Sequence, residues 1–215
     1  MGLINFGIPE KETKFLKDSM KLDVFVEGGT YKGGTAKNMS TKFRKVYTIE
    51  KSDVMFNEAK ENLKDIENVV MLKGDTREHL QDILEKNDNL LFWLDAHWSG
   101  GDTYGEEDEC PLVEELEIIF KYDKNHIILI DDARLFLAPP PLPHKFKNWQ
   151  SLSDIIKVIP KDWELIEYED VMYIYPEKIN NKFKVYIQQL ITEKNKNFNI
   201  SLFQRLLNKF GLINC

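Results

Sequence analysis

Three aspartates stand directly after two apolar runs of the sequence. Asp95 follows Leu90–Leu94, and Asp131 and Asp132 follow Ile127–Ile130. Uninterrupted apolar runs of this length predict strands that are buried on both faces of a parallel sheet. If the two strands are neighbours, their carboxyl ends meet at the edge where open α/β sheets bind ligands. Three converging carboxylates repel one another, so the pattern predicts a bound divalent cation, with magnesium first and manganese or calcium as alternatives.

A glycine-rich loop follows the first predicted strand, residues 24–26. It reads Glu27-Gly-Gly-Thr-Tyr-Lys-Gly-Gly-Thr35 and leads into a predicted helix. Glycine lets the backbone turn sharply and approach a ligand beneath the positive end of a helix. The glycine spacing is longer than in dinucleotide loops, and the leading carboxylate suits a ligand with a cationic amino-acid end. We therefore expect S-adenosylmethionine; a tight strand-to-helix turn without a ligand is the alternative for the loop taken alone.

Two further acids close the second and third predicted strands. Glu50 could accept hydrogen bonds from both ribose hydroxyls of a nucleoside that lies across the strand ends. Asp75 could accept a hydrogen bond from an adenine amino group, or cap the following helix, or do both.

Strand-length and helical stretches alternate along the first 130 residues. The predicted strands are 24–26, 46–49, 69–72, 90–94 and 127–130, and the predicted helices between them are 35–43, 53–63, 76–84 and 111–120. A further helix, 11–22, precedes them. This alternation predicts an α/β fold, a doubly wound, mainly parallel Rossmann-like sheet in three α/β/α layers. Residues 163–168 and 171–175 predict an antiparallel pair at the sheet edge.

The last third of the chain has a different pattern. Four prolines within residues 139–143 exclude a helix and a central strand, so this segment is predicted to be a loop near the strand ends. From residue 180 onward, two apolar sets at helical spacing predict two amphipathic helices. We therefore predict a domain over residues 1–178 and a helical extension over 179–215 that packs on the domain or on a partner subunit. Packing on a partner subunit would make the protein a homo-oligomer.

The length, composition and net charge of the chain indicate its core size, its cellular compartment and the partners it is expected to lack. The chain has 215 residues, of which 42% are hydrophobic, which suits one well-filled core. Its start lacks the features of a signal peptide, and two cysteines are too few for a disulfide framework, so a cytoplasmic protein is expected. The net charge of −7 argues against a nucleic acid partner, and the tail gives little support for a membrane partner.

With these residues in place, the sequence resembles class I S-adenosylmethionine-dependent methyltransferases, and within them the metal-dependent O-methyltransferases typified by catechol O-methyltransferase. The similarity runs from residue 25 to residue 132. It rests on five blocks in matching order and spacing: 27–36, 47–50, 74–75, 94–98 and 129–132.

The resemblance implies a set of site residues. In that family the first loop holds the methionine half of the cofactor, the acid after the second strand holds the ribose, and acids after the fourth and fifth strands bind the metal. For the cofactor, the residues carried over are Glu27, Gly29, Gly33 and Glu50. We predict that Thr30, Thr35, Asp75, Asp95 and Trp98 also contact it. The implied metal set is Asp95, Asp131 and Asp132.

The sequence also departs from the catechol enzymes. Asp132 stands where they have asparagine, and the lysine base that follows their first metal aspartate is missing. His97 is the substitute as general base, with a hydrogen bond to the cofactor or to a nearby turn as the alternative. Trp98 could stack on adenine, line the acceptor pocket or pack in the core. In residues 95–101 the sequence resembles bacterial enzymes that methylate sugar or polyketide-glycoside hydroxyls more than it resembles the catechol enzymes.

We therefore predict an O-methyltransferase that moves a methyl group from S-adenosylmethionine to a hydroxyl of a small molecule, a sugar or glycoside being one candidate, with a divalent metal assisting. The alternatives are a metal-independent methyltransferase of the same fold and a nucleotide-binding protein without catalysis. A third alternative, an NAD-linked oxidoreductase, is disfavoured by the glycine spacing of the loop.

Overall fold

The computed structural model describes residues 7–95, 108–122 and 124–209. The chain divides into two compact units, residues 1–177 and 178–215. Across the described segments, no helix combines the length and the apolar character needed to cross a bilayer.

The first unit is built on one seven-stranded sheet. Its strands are β1 (Val24–Gly28), β2 (Lys45–Glu50), β3 (Val69–Lys73), β4 (Leu90–Leu94), β5 (Ile127–Ile130), β6 (Trp163–Tyr168) and β7 (Val171–Pro176). Their order across the sheet is β3-β2-β1-β4-β5-β7-β6. The first five strands pair in parallel, whereas β7 pairs antiparallel with both β5 and β6. The predicted fold class, including the antiparallel edge pair, is confirmed.

The helix α1 (Glu10–Met20) precedes the first strand. Four helices lie between successive parallel strands: α2 (Gly34–Ser40), α3 (Asp53–Leu63), α4 (Thr76–Lys86) and α5 (Leu112–Phe120). The start of α3 is set by Ser52, whose hydroxyl accepts a hydrogen bond from the amide of Met55. Asp75 and Glu78 form a capping box at the start of α4.

The central strands form the core of the sheet. Every residue of β1, β4 and β5 is buried, as expected for parallel strands covered on both faces. The strand order reverses between β1 and β4, and the crevice at the carboxyl ends of these two strands is the ligand-binding position of doubly wound sheets. Gly28 and Leu94, the last residues of these two strands, therefore mark the expected ligand-binding position.

Two regions differ from the sequence-based expectations. Two short helices, α6 (Arg134–Leu137) and α7 (Leu152–Val158), flank the proline-rich loop and were not predicted. The second unit contains one continuous helix, α8 (Asn180–Lys209), where two were expected. Residues 192–201 contain neither glycine nor proline, so nothing in that stretch breaks the helix.

Candidate active site

Backbone hydrogen bonds align the ends of three neighbouring strands. The amide of Asp95 donates to the carbonyl of Gly28 at 3.0 Å, and the amide of Asp131 donates to the carbonyl of Leu94 at 3.2 Å. The ends of β1, β4 and β5 therefore lie side by side. The glycine loop, Asp95 and Asp131 meet at one edge of the sheet, as the sequence predicts.

The glycine loop turns through several left-handed residues. Gly29 has φ 88°, Tyr31 has φ 50° and Gly33 has φ 81°, a region that glycine adopts without strain. A Cβ atom at Gly33 would also lie 2.9 Å from Cδ1 of Leu63 in α3. The glycine at this position is thus required by the turn and by packing against α3, whatever the loop binds.

Glu27 is a buried acid at the base of this loop, 2% exposed. Its Oε2 accepts a hydrogen bond of 2.6 Å from the hydroxyl of Thr48, and the Thr35 side chain also hydrogen-bonds it. Burial raises the pKa of Glu27 to about 8, and the negative charges of Asp95 and Glu50 add to the rise. A cationic group of a ligand next to Glu27 would favour the charged form of this carboxyl.

Thr30 extends this buried polar chain. Its Oγ1 lies 2.5 Å from Oγ1 of Thr48, and its side chain is 3% exposed. Three of the predicted loop residues, Glu27, Thr30 and Thr35, thus share one hydrogen-bond network that runs through Thr48.

Glu50 is fixed by two backbone amides. Its Oε2 accepts from the amide of Tyr31 at 2.8 Å, and its Oε1 accepts from the amide of Ser52 at 2.7 Å. Each carboxylate oxygen keeps a second lone pair after these bonds. The carboxylate is therefore held in one orientation at the end of β2, ready to accept two hydroxyl hydrogens, as a ribose would offer.

Asp75 is fully engaged as a helix cap and ion-pair partner. Its Oδ1 accepts from the amide and Nε of Arg77, and its Oδ2 accepts from Nη2 of Arg77 and Nζ of Lys51. Burial is the largest single influence on the pKa of Asp75 and raises it. The hydrogen bonds from Arg77 and Lys51 together outweigh burial and hold the pKa well below its usual range. Four hydrogen bonds saturate a carboxylate, so the geometry favours the capping role over an adenine contact.

The two aspartates after β5 have different partners. Oδ1 of Asp131 accepts from the amide of Asp132 at 2.8 Å, whereas Oδ1 of Asp132 accepts from Nη1 of Arg134 at 2.7 Å. Asp132 has φ 55°. Within residues 7–95, 108–122 and 124–209, no group of three His, Cys, Asp or Glu side chains could hold a metal ion. The predicted three-aspartate cluster is not assembled among these residues.

Sequence reasoning missed a second polar centre, around Glu109. This acid is 0% exposed and accepts hydrogen bonds from Nε1 of Trp149 at 2.7 Å, the amide of Lys145 at 2.9 Å and Nδ1 of His144 at 3.1 Å. It therefore anchors the segment that follows the proline-rich loop. The neighbouring Cys110 is also buried, and burial raises the pKa of its thiol to about 12, which disfavours the nucleophilic thiolate.

His97 and Trp98 lie outside the described residues. The assignments of His97 as general base and of Trp98 to the cofactor or acceptor pocket therefore stay predictions.

Several solved methyltransferase structures are similar to this chain in fold. A candidate O-methyltransferase from Klebsiella pneumoniae superposes with a TM-score of 0.56 at 14% identity, covering 79% of this chain and 81% of that one. The S-adenosylhomocysteine-bound methyltransferase PaMTH1 of Podospora anserina gives 0.54 at 16% identity, with 80% of each chain covered. A candidate caffeoyl-CoA O-methyltransferase from Staphylococcus aureus gives 0.56 at 13% identity, covering 80% and 85%.

No family model matches the sequence, and no curated protein does. At these low identities the similarity is one of fold. The chain has the fold of the class I S-adenosylmethionine-dependent methyltransferases, as its resemblance to them predicts.

Proposed function

We propose that this chain is an S-adenosylmethionine-dependent O-methyltransferase that transfers a methyl group to a hydroxyl of a small molecule, with sugars and glycosides as the first candidates. The observation that carries the proposal is the presence of two buried acids on neighbouring strands, Glu27 in β1 beside the point where the strand order reverses and Glu50 at the end of β2. Glu27 is buried beneath the glycine loop, and Glu50 is fixed by the amides of Tyr31 and Ser52.

These residues suit the cofactor by charge and by hydrogen bonding. Glu27 is buried within reach of the negative charges of Asp95 and Glu50, and S-adenosylmethionine carries an ammonium and a sulfonium group that would offset them. Glu50 presents two fixed acceptor oxygens for the ribose hydroxyls. The proposed division is therefore Glu27 with the loop residues Gly29 to Thr35 for the methionine half, and Glu50 for the ribose.

S-adenosylmethionine, when bound, supplies an electrophilic methyl group. The chain has to orient an acceptor hydroxyl toward that methyl group and remove its proton. Orientation of two reacting groups can contribute roughly 7 to 11 kcal/mol. We propose His97 as the proton acceptor, since it follows Asp95 at the end of β4. Carboxylates at the ends of β4 and β5 suit an acceptor with several hydroxyl donors, which supports a sugar.

The divalent cation fits the described residues poorly. Asp132, one of its three expected ligands, already accepts a hydrogen bond from the positively charged Arg134, and the described residues contain no group of three His, Cys, Asp or Glu side chains that could hold the ion. The roles proposed here for the residues of the chain therefore involve no metal ion.

Calorimetric titration with S-adenosylhomocysteine tests the cofactor assignment. We expect clear binding to the natural protein and none with NAD. Glu50→Gln replaces one acceptor oxygen by a donor, and should weaken binding at least about tenfold, or ~1.4 kcal/mol. Glu61→Gln, on the exposed side of α3, is the matched control and should bind normally.

Binding of NAD in place of S-adenosylhomocysteine would reject the proposal. Once the cofactor binds, a panel of methyl glycosides and simple diols, followed through release of S-adenosylhomocysteine, identifies the acceptor. Cofactor binding without turnover across a broad hydroxyl panel would favour the non-catalytic alternative.

A further inference from the structure

A single arginine bridges two buried carboxylates at the end of β5. Nη1 of Arg134 donates to Oδ1 of Asp132 at 2.7 Å and also to Oδ2 of Asp170. The carboxylate side chains are 4% and 5% exposed, whereas that of Arg134 is 33% exposed. The guanidinium therefore reaches inward from partial exposure to two acids that solvent scarcely touches.

Asp170 also fixes the backbone beside Asp132. Its Oδ1 accepts from the amide of Arg134 at 3.0 Å, and its carbonyl accepts from the amide of Ala133 at 2.9 Å. Asp170 is itself oriented, because its amide donates to Oε1 of Glu167 at 2.9 Å. The turn between β6 and β7 thus holds the residues that follow Asp132.

The charges in this network require a permanent cation. Burying a carboxylate is costly unless it is paired. An arginine guanidinium is not deprotonated in proteins, and that of Arg134 donates to both carboxylates. Arg134 is therefore charged at any pH at which the protein works.

A divalent metal and this arginine would compete for Asp132. A metal ligand must direct an oxygen lone pair at the ion, and the neighbouring positive charge of Arg134 would repel that ion. The backbone at Asp132 is left-handed, and α6 begins two residues later, at Arg134. The guanidinium of Arg134 thereby reaches back to the carboxylate of Asp132.

We propose that Arg134 is the resident cation at the end of β5, positioned by Asp170, and that it neutralises Asp132 in place of a divalent metal. On the proposed function, methyl transfer by this chain then proceeds without a divalent cation. Arg134 is a positioning residue, since it acts through Asp132.

The test is a calorimetric titration with Mn²⁺, which needs neither cofactor nor acceptor. Arg134→Met removes the guanidinium and keeps much of the side-chain bulk, so it leaves two buried acids without their cation. We expect it to bind Mn²⁺ at least tenfold more tightly than the natural protein, and to lose that gain when Asp132→Asn is added. Arg44→Met is the matched control, because Arg44 pairs only with the exposed Asp23 among the described ion pairs, and should bind Mn²⁺ like the natural protein.

Asp132→Asn in the natural background decides the question even if Arg134→Met fails to fold. This nearly isosteric change keeps an oxygen that can accept from Arg134. We expect Mn²⁺ affinity to stay within twofold of the natural value. A tenfold loss would make Asp132 a metal ligand and overturn the proposal, as would an Arg134→Met protein that folds and gains no affinity.

Titration of the same samples with S-adenosylhomocysteine separates the two proposals. Failure to bind it rejects the methyltransferase function and leaves the Mn²⁺ result standing. If turnover is found, its persistence in chelator is expected, and its loss in chelator with recovery on Mg²⁺ would overturn the role given to Arg134.

Discussion

The hydroxyl of Thr48 donates a 2.6 Å hydrogen bond to Oε2 of Glu27, and the two residues are direct partners in the parallel register of β1 and β2. Both side chains are buried. The acid beneath the glycine loop is thus supported from the neighbouring strand, and its position follows from strand pairing as well as from the loop.

Glu27 should make stability depend on pH. Its folded pKa is about 8, against an ordinary value of 4.5, so between these values the folded chain binds a proton that the unfolded chain has lost. Its contribution to the free energy of unfolding is therefore fully present below about pH 4.5 and falls as the pH rises to about 8, by up to ~1.4 kcal/mol per unit. Glu27→Gln should remove this fall and be more stable than the natural protein at pH 8.5.

Urea denaturation at pH 5.5, 6.5, 7.5 and 8.5 measures the effect as a difference between variants. Glu61→Gln serves again as the control and should keep the natural slope. Parallel curves for Glu27→Gln and the natural protein would contradict the assignment of a raised pKa to Glu27.

Glu109 should hold the segment after the proline-rich loop in place. Glu109→Gln substitutes an amide for an oxygen that accepts from Trp149, Lys145 or His144. At least one buried donor then loses its partner, which costs about 1 to 3 kcal/mol. The free energy of unfolding in urea should drop by this amount, and limited proteolysis should cut residues 138–150 sooner.

Glu117→Gln, on the exposed side of α5, is the matched control for this experiment and should change neither quantity. Equal stability and equal proteolysis of Glu109→Gln would show that Glu109 does not anchor the segment.

His97 should be required for turnover and not for cofactor affinity. If it removes the acceptor proton, His97→Ala should slow methyl transfer by about 10²-fold or more. Binding of S-adenosylhomocysteine should stay close to natural, and the acidic limb of the pH profile of kcat/KM should disappear. His79→Ala, on α4, is the control, and an unchanged rate in His97→Ala would assign the proton to another group.

Much of the fold could be predicted because its central strands are continuous apolar runs. The limits of β4 and β5 match the sequence pattern residue for residue, and α3 begins directly after its capping residue Ser52. The short helices α6 and α7 give too few turns for a periodic signal.

The sequence could indicate which residues of the crevice are neighbours only where they close a strand or lie in the loop that follows one. Glu27, Glu50, Asp95 and Asp131 come directly at or after a strand, so topology alone brings them together. The partners of Glu109 lie 35 to 40 residues away, and Asp170 lies 36 residues from Arg134. No periodicity links positions so far apart, and only the folded chain places them together.

Glu169 and Asp170 form the whole connection between β6 and β7, and both have positive φ, 51° and 67°. Such a two-residue connection sets the register of a hairpin, so one inserted residue would slide Asp170 away from Arg134 and turn its side chain to the opposite face. A surface turn of this kind usually tolerates changes in length. Here the length of the turn is constrained, because it places Asp170 against Arg134. The turn lies outside the five sequence blocks that predict the crevice.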